Sequence, residues 1–265
     1  MEMRDKNSLP WGAQIARGNM RLAHIHHQFG RHAACGTSYT PVSDSGIYRT
    51  PQVAGATQLR IKAGGNAADT AAGAGAQSVK LHGIDAIGNE ITEVIATAGT
   101  SASAATTHSF IRLYYVEVHE SGTYGTQSVG SHVGDITIED AAGTEDWAEI
   151  LLNGFASGTT CIGSLTIPRN HVGLVTSINI TIDTSGGKTM DVLFMQRSNI
   201  LQTAAPYSPI IKVQEFLGLG VGQSIIYDIP FKVPELTDIG VLAKSSNGTN
   251  AVSVDMEIIM LEAET

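Results

Sequence analysis

From residue 47 onward, apolar residues recur at every second position, which is the period of a β-strand rather than that of a helix. The last such segment carries Val252, Val254, Met256, Ile258 and Met260 in alternation with mostly polar residues. Successive side chains of a strand point to opposite faces of a sheet. The pattern therefore predicts a strand with one face in the core and the other in water.

Two further segments show the pattern in different forms. The run from Val172 to Asp183 alternates, and its predicted core face carries Val172, Leu174, Thr176, Ile178, Ile180 and Ile182. The segment Phe110–Val118 is apolar on both faces, so we expect it to lie centrally and to be covered on both sides.

The remaining predicted strands are Gln58–Lys62, Ser78–Gly83, Glu90–Thr97, Asp135–Glu139, Trp147–Leu152, Cys161–Ile167, Thr189–Arg197, Ile210–Phe216, Ser224–Val233 and Asp238–Lys244. Many short strands separated by turn residues predict an all-β fold of the β-sandwich or jelly-roll type. The body of this fold is residues 46–265. A second domain, with a boundary near residues 153–160, is equally compatible with the pattern, because two sheets of one large sandwich would look the same.

Residues 1–45 are polar and irregular, and they predict an extended N-terminal arm. The first 34 residues are also basic, with Arg4, Lys6, Arg17, Arg21 and Arg31 against Glu2 and Asp5. Two explanations of this asymmetry stay open. The arm docks on an acidic neighbouring protein, or it packs on the acidic body of its own chain.

Composition excludes several classes of function. The formal net charge of −9 repels phosphate backbones, so we expect no nucleic-acid partner. The two cysteines, Cys35 and Cys161, are far apart and predict neither a disulfide framework nor a zinc site. No apolar stretch is long enough to cross a membrane, and the first residues lack the apolar core of a secretory signal. We therefore expect a soluble protein that has no membrane partner and is not exported by a standard signal.

Candidate chemistry is sparse. His24, His26, His27 and His32 could ligate a metal, but no nearby carboxylate or thiolate completes a ligand set, so packing is the favoured interpretation. Acidic residues gather between positions 135 and 149, where a solvated edge is a commoner explanation than a pair of glycosidase carboxylates. The expectation is no catalytic residue, no metal and no cofactor, and hence no enzyme.

Several motifs resemble those of a family of structural virion proteins from marine tailed bacteriophages. The segment Ile15–Asn19 followed by His27–Arg31 is similar to the family's "ARGN … FGR" signature. Further similar segments are Gly83–Ile95, Phe110–Gly122, Gly134–Asp140, Thr166–Val175 and Pro230–Ser246. The sequence departs from the family at Leu236, where a basic residue is usual. The resemblance implies a place in a virus particle that is assembled in the host cytoplasm, and it implies no reaction.

Together these features favour a capsid decoration or cement protein that binds the assembled shell through its β body and its arm. A tail component, such as an adaptor, hub or fibre-base protein, is the alternative, and a host-surface adhesin is a third. The expected partners are the major capsid protein or other virion proteins, and further copies of the chain in a trimer or ring. The residues predicted to contact partners are Trp11, Arg17, Arg21, Phe29 and Arg31. Alternatively, Trp11 and Phe29 cap the core of their own subunit.

Overall fold

The computed structural model describes residues 10–20, 22–49, 55–123, 130–152, 157–183 and 187–263. These ranges contain one α-helix, α1 (Trp11–Ala16), and a short 3-10 turn at Asp44–Gly46. The strands are β1 (Ala23–Cys35), β2 (Thr40–Pro41), β3 (Leu59–Ile61), β4 (Ala76–Asp85), β5 (Glu90–Ala96), β6 (Phe110–Ser121), β7 (Ile136–Asp140), β8 (Asp146–Ile150), β9 (Ser164–Ile167), β10 (His171–Ile182), β11 (Met190–Ser198), β12 (Ile211–Leu219), β13 (Gln223–Val233), β14 (Thr237–Ser245) and β15 (Asn250–Glu262). The all-β prediction is confirmed. Each strand predicted by alternation is present, with its ends within three residues of the expected position.

Two antiparallel sheets pack face to face as a sandwich. The front sheet has the strand order β1-β15-β10-β13, and the back sheet has the order β12-β11-β14, with β2 and β9 beside β14. The core between them includes Met256 and Ile258 of β15, Phe194 of β11 and Val241 of β14, all with at most 1% of their surface exposed. Burial of these alternating apolar faces is what holds the two sheets together.

Strands β3 to β8 form an insert between β2 and β9, with a hydrophobic core of its own. They build two three-stranded sheets, β3-β7-β8 and β5-β4-β6, around buried residues that include Leu81, Ile138 and Trp147. The sandwich is therefore built from both ends of the chain. Residues 153–156, at the predicted domain boundary, lie outside the described ranges, and the division into domains stays a prediction.

Strand β6 joins the two cores. Ile111 and Tyr114 belong to the sandwich core, whereas Leu113 and Val116 belong to the insert core. The prediction that this segment is covered on both faces is confirmed. Within its own sheet, however, β6 is an outer strand, and its cover comes from the neighbouring layers.

Strand β10 departs from the predicted face. Val175 is fully buried, whereas Val172, Leu174 and Thr176 are only half-buried. A β-bulge between Val175 and Ser177 interrupts the register with both neighbouring strands. One extra residue reverses the direction of the side chains that follow it. The predicted face is thus right for Ile178, Ile180 and Ile182 and wrong before the bulge.

The described part of the predicted arm is folded on the body. Helix α1 was not expected from the sequence; it starts after Pro10 and is followed by Gly18, which has a positive φ of 71°. Residues 23–35 keep the extended backbone that was predicted, but as β1 of the front sheet, and residues 40–41 pair with β14. Residues 23–35 therefore pack on the chain's own body, and docking of the exposed basic residues on a neighbouring protein stays a prediction. Residues 1–9 lie outside the described ranges.

Candidate functional site

Strand β1 is an outer strand of the front sheet and carries two of the predicted contact residues. Gln28 and Gly30 point into the protein, whereas Phe29 and Arg31 point outward, and Phe29 is 48% exposed. Phe29 and Arg31 therefore share one face of β1. Arg17 is exposed and caps the C-terminal end of α1. The side chain of Trp11 and the whole of Arg21 fall outside the description.

A cleft of about 240 Å³ opens beside Phe29 and Arg31. Its walls include Asp44 and Cys161, and the Asp44 carboxylate accepts a hydrogen bond from the Cys161 backbone N–H at 2.6 Å. Burial raises the pKa of Asp44 to about 6. Burial, together with the adjacent Asp44 carboxylate, raises the pKa of the Cys161 thiol to about 12. The thiol is thus protonated at neutral pH and is a poor nucleophile. The Asp44 carboxylate is engaged in a hydrogen bond within the fold.

Replacing Asp44 by asparagine is expected to flatten the pH dependence of stability. The folded-state pKa near 6 lies above the ordinary value for aspartate, so the folded state binds more protons between about pH 4 and pH 6. Stability from Asp44 is therefore greatest below pH 4 and is lost as the pH rises to 6. Relative to the wild type, the Asp44→Asn variant should gain about 1–3 kcal/mol between pH 4 and pH 8. Urea unfolding at both pH values measures this difference. If the difference in free energy of unfolding between the two proteins is the same at pH 4 and pH 8, Asp44 titrates normally.

Three histidines lie where the front sheet meets the insert. His24, His26 and His171 line a small cavity with Glu90 and Tyr114. The Tyr114 hydroxyl donates to the Glu90 carboxylate, and burial lowers the pKa of His26. The cavity measures about 10 Å³, room for one water at most.

The predicted histidine cluster is only partly brought together. His24 and His26 line this cavity, whereas His27 is exposed on the opposite face of β1 and His32 lies beside Gly46. Across the described ranges, no group of three or more His, Cys, Asp or Glu side chains is arranged to hold a metal ion. His24 and His26 therefore pack where β1 contacts the insert.

The acidic residues between positions 135 and 149 are engaged in local structure. Glu139 pairs with Arg60 at 2.8 Å, and Asp146 pairs with Lys62 at 2.8 Å. The Asp140 carboxylate accepts backbone N–H groups of the β7–β8 turn, including that of Thr144 at 2.8 Å. The predicted solvated edge is correct for Asp135 and Glu145, which are exposed. It is wrong for Glu139 and Asp140, which are buried because they bind Arg60 and the backbone of the turn.

The sequence analysis missed an apolar surface on the opposite side of the sandwich. Strand β12 is an outer strand of the back sheet, and β13 is an outer strand of the front sheet. The Tyr227 hydroxyl of β13 donates to Gln214 Oε1 of β12 at 2.8 Å, which ties the two strands together. The strands and the turn between them expose Ile211, Leu217, Val221, Ile226 and Ile229 by 48 to 86%.

We call the exposed side chains of Ile211, Leu217, Val221, Ile226 and Ile229 together the β12–β13 surface. Monomeric proteins rarely expose contiguous apolar patches beyond a few hundred Å², and larger ones mark interaction sites. An outer strand also presents backbone groups that another chain can pair with. The sequence contains adjacent apolar pairs in these strands, such as Phe216-Leu217 and Ile225-Ile226. Only one member of each pair can face the core, so the other must point away from it.

The fold is that of an antiparallel β-sandwich protein, and two of its outer strands expose large apolar side chains. No protein-family model matches the chain, and no curated protein matches it in sequence. Among solved structures, it is similar to three from infectious bursal disease virus, each at 8% identity over 92% of this chain. The first is the structure of the Gx strain, of which 78% of the chain is covered with a TM-score of 0.21. The second is the structure of virus-derived T=1 particles, with 75% of that chain covered and a TM-score of 0.22. The third is the VP2 subviral particle, with 77% of that chain covered and a TM-score of 0.21. At such TM-scores the likeness carries no argument, so the fold class rests on the strands themselves.

None of the helices within the described ranges is long and apolar enough to span a membrane.

Proposed function

We propose that this protein is a structural component of a tailed-phage virion and has no enzymatic activity. The β12–β13 surface supports the proposal, because large aliphatic side chains that are exposed on two outer strands are typical of residues that a protein partner covers. The resemblance of Ile15–Asn19 and His27–Arg31 to virion proteins of tailed phages is the reason for proposing a tailed-phage particle. The cleft and the polar clusters described above support a structural role, since their groups are used in holding the fold together.

Within the virion, we place the protein on the outside of the capsid as a decoration or cement protein. Its partners are the major capsid protein and further copies of itself. The protein would contact several capsid subunits at once, and this arrangement exists only on the assembled lattice. Binding to the assembled shell alone shifts the equilibrium toward that shell and so stabilises it. Apolar contacts on the β12–β13 surface would supply most of the binding free energy.

Purified virions should contain hundreds of copies of this chain, located on the shell by image reconstruction and counted by quantitative mass spectrometry. A count of a few to a dozen or so copies at the tail would support the tail component instead. Absence from purified particles would refute the virion role altogether.

The double variant Leu217→Asp/Ile226→Asp should occupy purified shells at least tenfold less than the wild type. Fully burying one such side chain is worth about 1.5–3 kcal/mol, and about 1.4 kcal/mol is already tenfold in affinity. The two positions are 67% and 78% exposed in the free chain, so the variant should fold normally. Occupancy is measured by co-sedimentation with shells. Ile87→Asp is the matched control, because Ile87 is 59% exposed in the β4–β5 turn. Equal binding of the wild type and the double variant would exclude this surface.

A further inference from the structure

Gln28 connects β1 to the insert. Its side chain is 3% exposed, and its carboxamide nitrogen donates a hydrogen bond to the Tyr114 carbonyl of β6 at 3.1 Å. The same nitrogen donates to the Ile162 carbonyl, which precedes β9. The carboxamide oxygen lies 2.8 Å from the His26 Nε2. We call these contacts of His26 and Gln28 with Tyr114 and Ile162 the β1–insert contact.

The hydrogen bonds of Gln28 determine which nitrogen of His26 carries a hydrogen. Both N–H groups of the carboxamide are directed to backbone carbonyls, so its oxygen must face His26. That oxygen can only accept, so the His26 Nε2 is the donor. The neutral ring is therefore protonated at Nε2, and acid adds the second proton at Nδ1. Among the described residues, none accepts a hydrogen bond from Nδ1.

The surroundings of His26 offer little compensation for a positive charge. The titratable groups around it are His24 and His27 of β1, Glu90 of β5, Tyr114 of β6 and, across the cavity, His171 of β10. Glu90 is the one carboxylate among these groups, and it already accepts the Tyr114 hydroxyl. The rings of His24 and His171 lie 6.4 Å apart, and the cavity has room for one water at most. In acid, three imidazolium groups would therefore share one carboxylate.

The protonation of His26 is coupled to the closed state of the contact. Burial lowers the pKa of His26 below its ordinary value of 6.5, and the nearby His24 and His27 act in the same direction. The hydrogen bond with Gln28 and the charge of Glu90 oppose this effect but are outweighed. The closed contact therefore binds fewer protons than an open one. Its stability is complete above about pH 6.5 and is lost as the pH falls below that value.

We propose that the β1–insert contact is an acid-sensitive switch, in which protonation of His26 beside His24 and His171 makes Gln28 release the Tyr114 and Ile162 carbonyls. A second attachment of β6 to the sandwich is the buried pair of Arg112 and Asp238, whose charged groups lie 3.0 Å apart, and it contains no histidine. Opening is therefore local: it separates this part of β1 from the insert without separating the two hydrophobic cores.

Hydrogen exchange of the Gln28 side-chain amide, followed by NMR, measures the opening directly, because both N–H groups are bonded in the closed contact. In the wild type, the protection of these protons, corrected for the pH dependence of a free amide, should fall about tenfold or more between about pH 7.5 and about pH 5. His26→Gln should keep its protection, because its carboxamide nitrogen can still donate to Gln28 and takes up no proton. His27→Gln is the matched control, since it makes the same substitution on the opposite, exposed face of β1 and should respond to acid as the wild type does.

Equal losses of protection in His26→Gln and the wild type would overturn the switch, and so would a wild type that stays protected in acid. Asp44 titrates in the same range, but it is unchanged in all these proteins, so a difference between them reports on His26. If circular dichroism shows that His26→Gln does not fold, the double variant His24→Gln/His171→Gln replaces it. That variant should lose less protection in acid than the wild type, because two of the three charges at the cavity are gone, and an equal loss again overturns the switch. The result is independent of the proposed function, which the count of copies in virions tests separately.

Discussion

Replacing Asp238 by asparagine is expected to lower the free energy of unfolding by about 3–5 kcal/mol. Asp238 of β14 and Arg112 of β6 have fully buried side chains, and their charged groups lie 3.0 Å apart. The Arg112 Nε also lies within 3.2 Å of both Asp238 oxygens, and the Thr166 hydroxyl donates to the carboxylate at 2.6 Å. Asparagine removes the negative charge but leaves the guanidinium buried and uncompensated. The buried, unpaired charge is what destabilises the folded state. Urea unfolding followed by Trp147 fluorescence measures the loss.

Asp146→Asn is the matched control for this variant. Asp146 makes an ion pair with Lys62, but both side chains are at least 35% exposed, so its removal should cost less than about 1 kcal/mol. A second comparison is Arg112→Met combined with Asp238→Leu, which removes both charges and should recover much of the lost stability. If Asp238→Asn costs no more than the control does, the two charges are not buried together in solution.

The pair also joins the two parts of the molecule. Arg112 belongs to a strand of the insert, and Asp238 belongs to the back sheet, so the ion pair fixes the position of the insert on the sandwich. A buried pair contributes little net stability compared with apolar residues of the same shape. Its contribution here is to allow one relative placement of the two hydrophobic cores, because any other placement would leave a buried charge without its partner.

The alternation of apolar and polar residues predicted most strands, because a sheet with one solvent-exposed face imposes a period of two on the sequence. Strand β15 shows this directly, with every second residue from Val252 to Met260 buried. Strand β1 escaped prediction because both of its faces are polar or half-exposed, as expected for an outer strand. Its pairing with β15 joins the two ends of the chain, and no local pattern records such a contact.

The candidate site was predictable only in part. Phe29 and Arg31 are two residues apart, so an extended backbone alone places them on one face. Adjacent apolar pairs such as Ile225-Ile226 indicate that one apolar side chain points away from the core, but they do not show whether another layer covers it, so the exposure of the β12–β13 surface was not predictable. Its exposure follows from strand order, which makes β13 the last strand of the front sheet. Strand order is set by long-range pairing and not by the local sequence.

Replacing Gly30 by alanine is expected to lower the free energy of unfolding by about 3 kcal/mol or more, at or beyond the upper end of ordinary overpacking. A Cβ at Gly30 would lie 2.1 Å from the Gly163 nitrogen and 2.3 Å from the Val42 carbonyl oxygen. Both contacts are with backbone, which cannot rotate away as a flexible side chain can. Relief would require β1 to move away from the chain segment that leads into β9.

Gly12→Ala is the control for that variant, because no atom lies within 4 Å of its added Cβ and the residue sits in helix α1. Alanine there should raise stability by about 0.5–1 kcal/mol, since glycine is a poor helix former. Urea midpoints of the two variants should therefore move in opposite directions. If Gly30→Ala matches the wild type, β1 does not cross Gly163 so closely in solution.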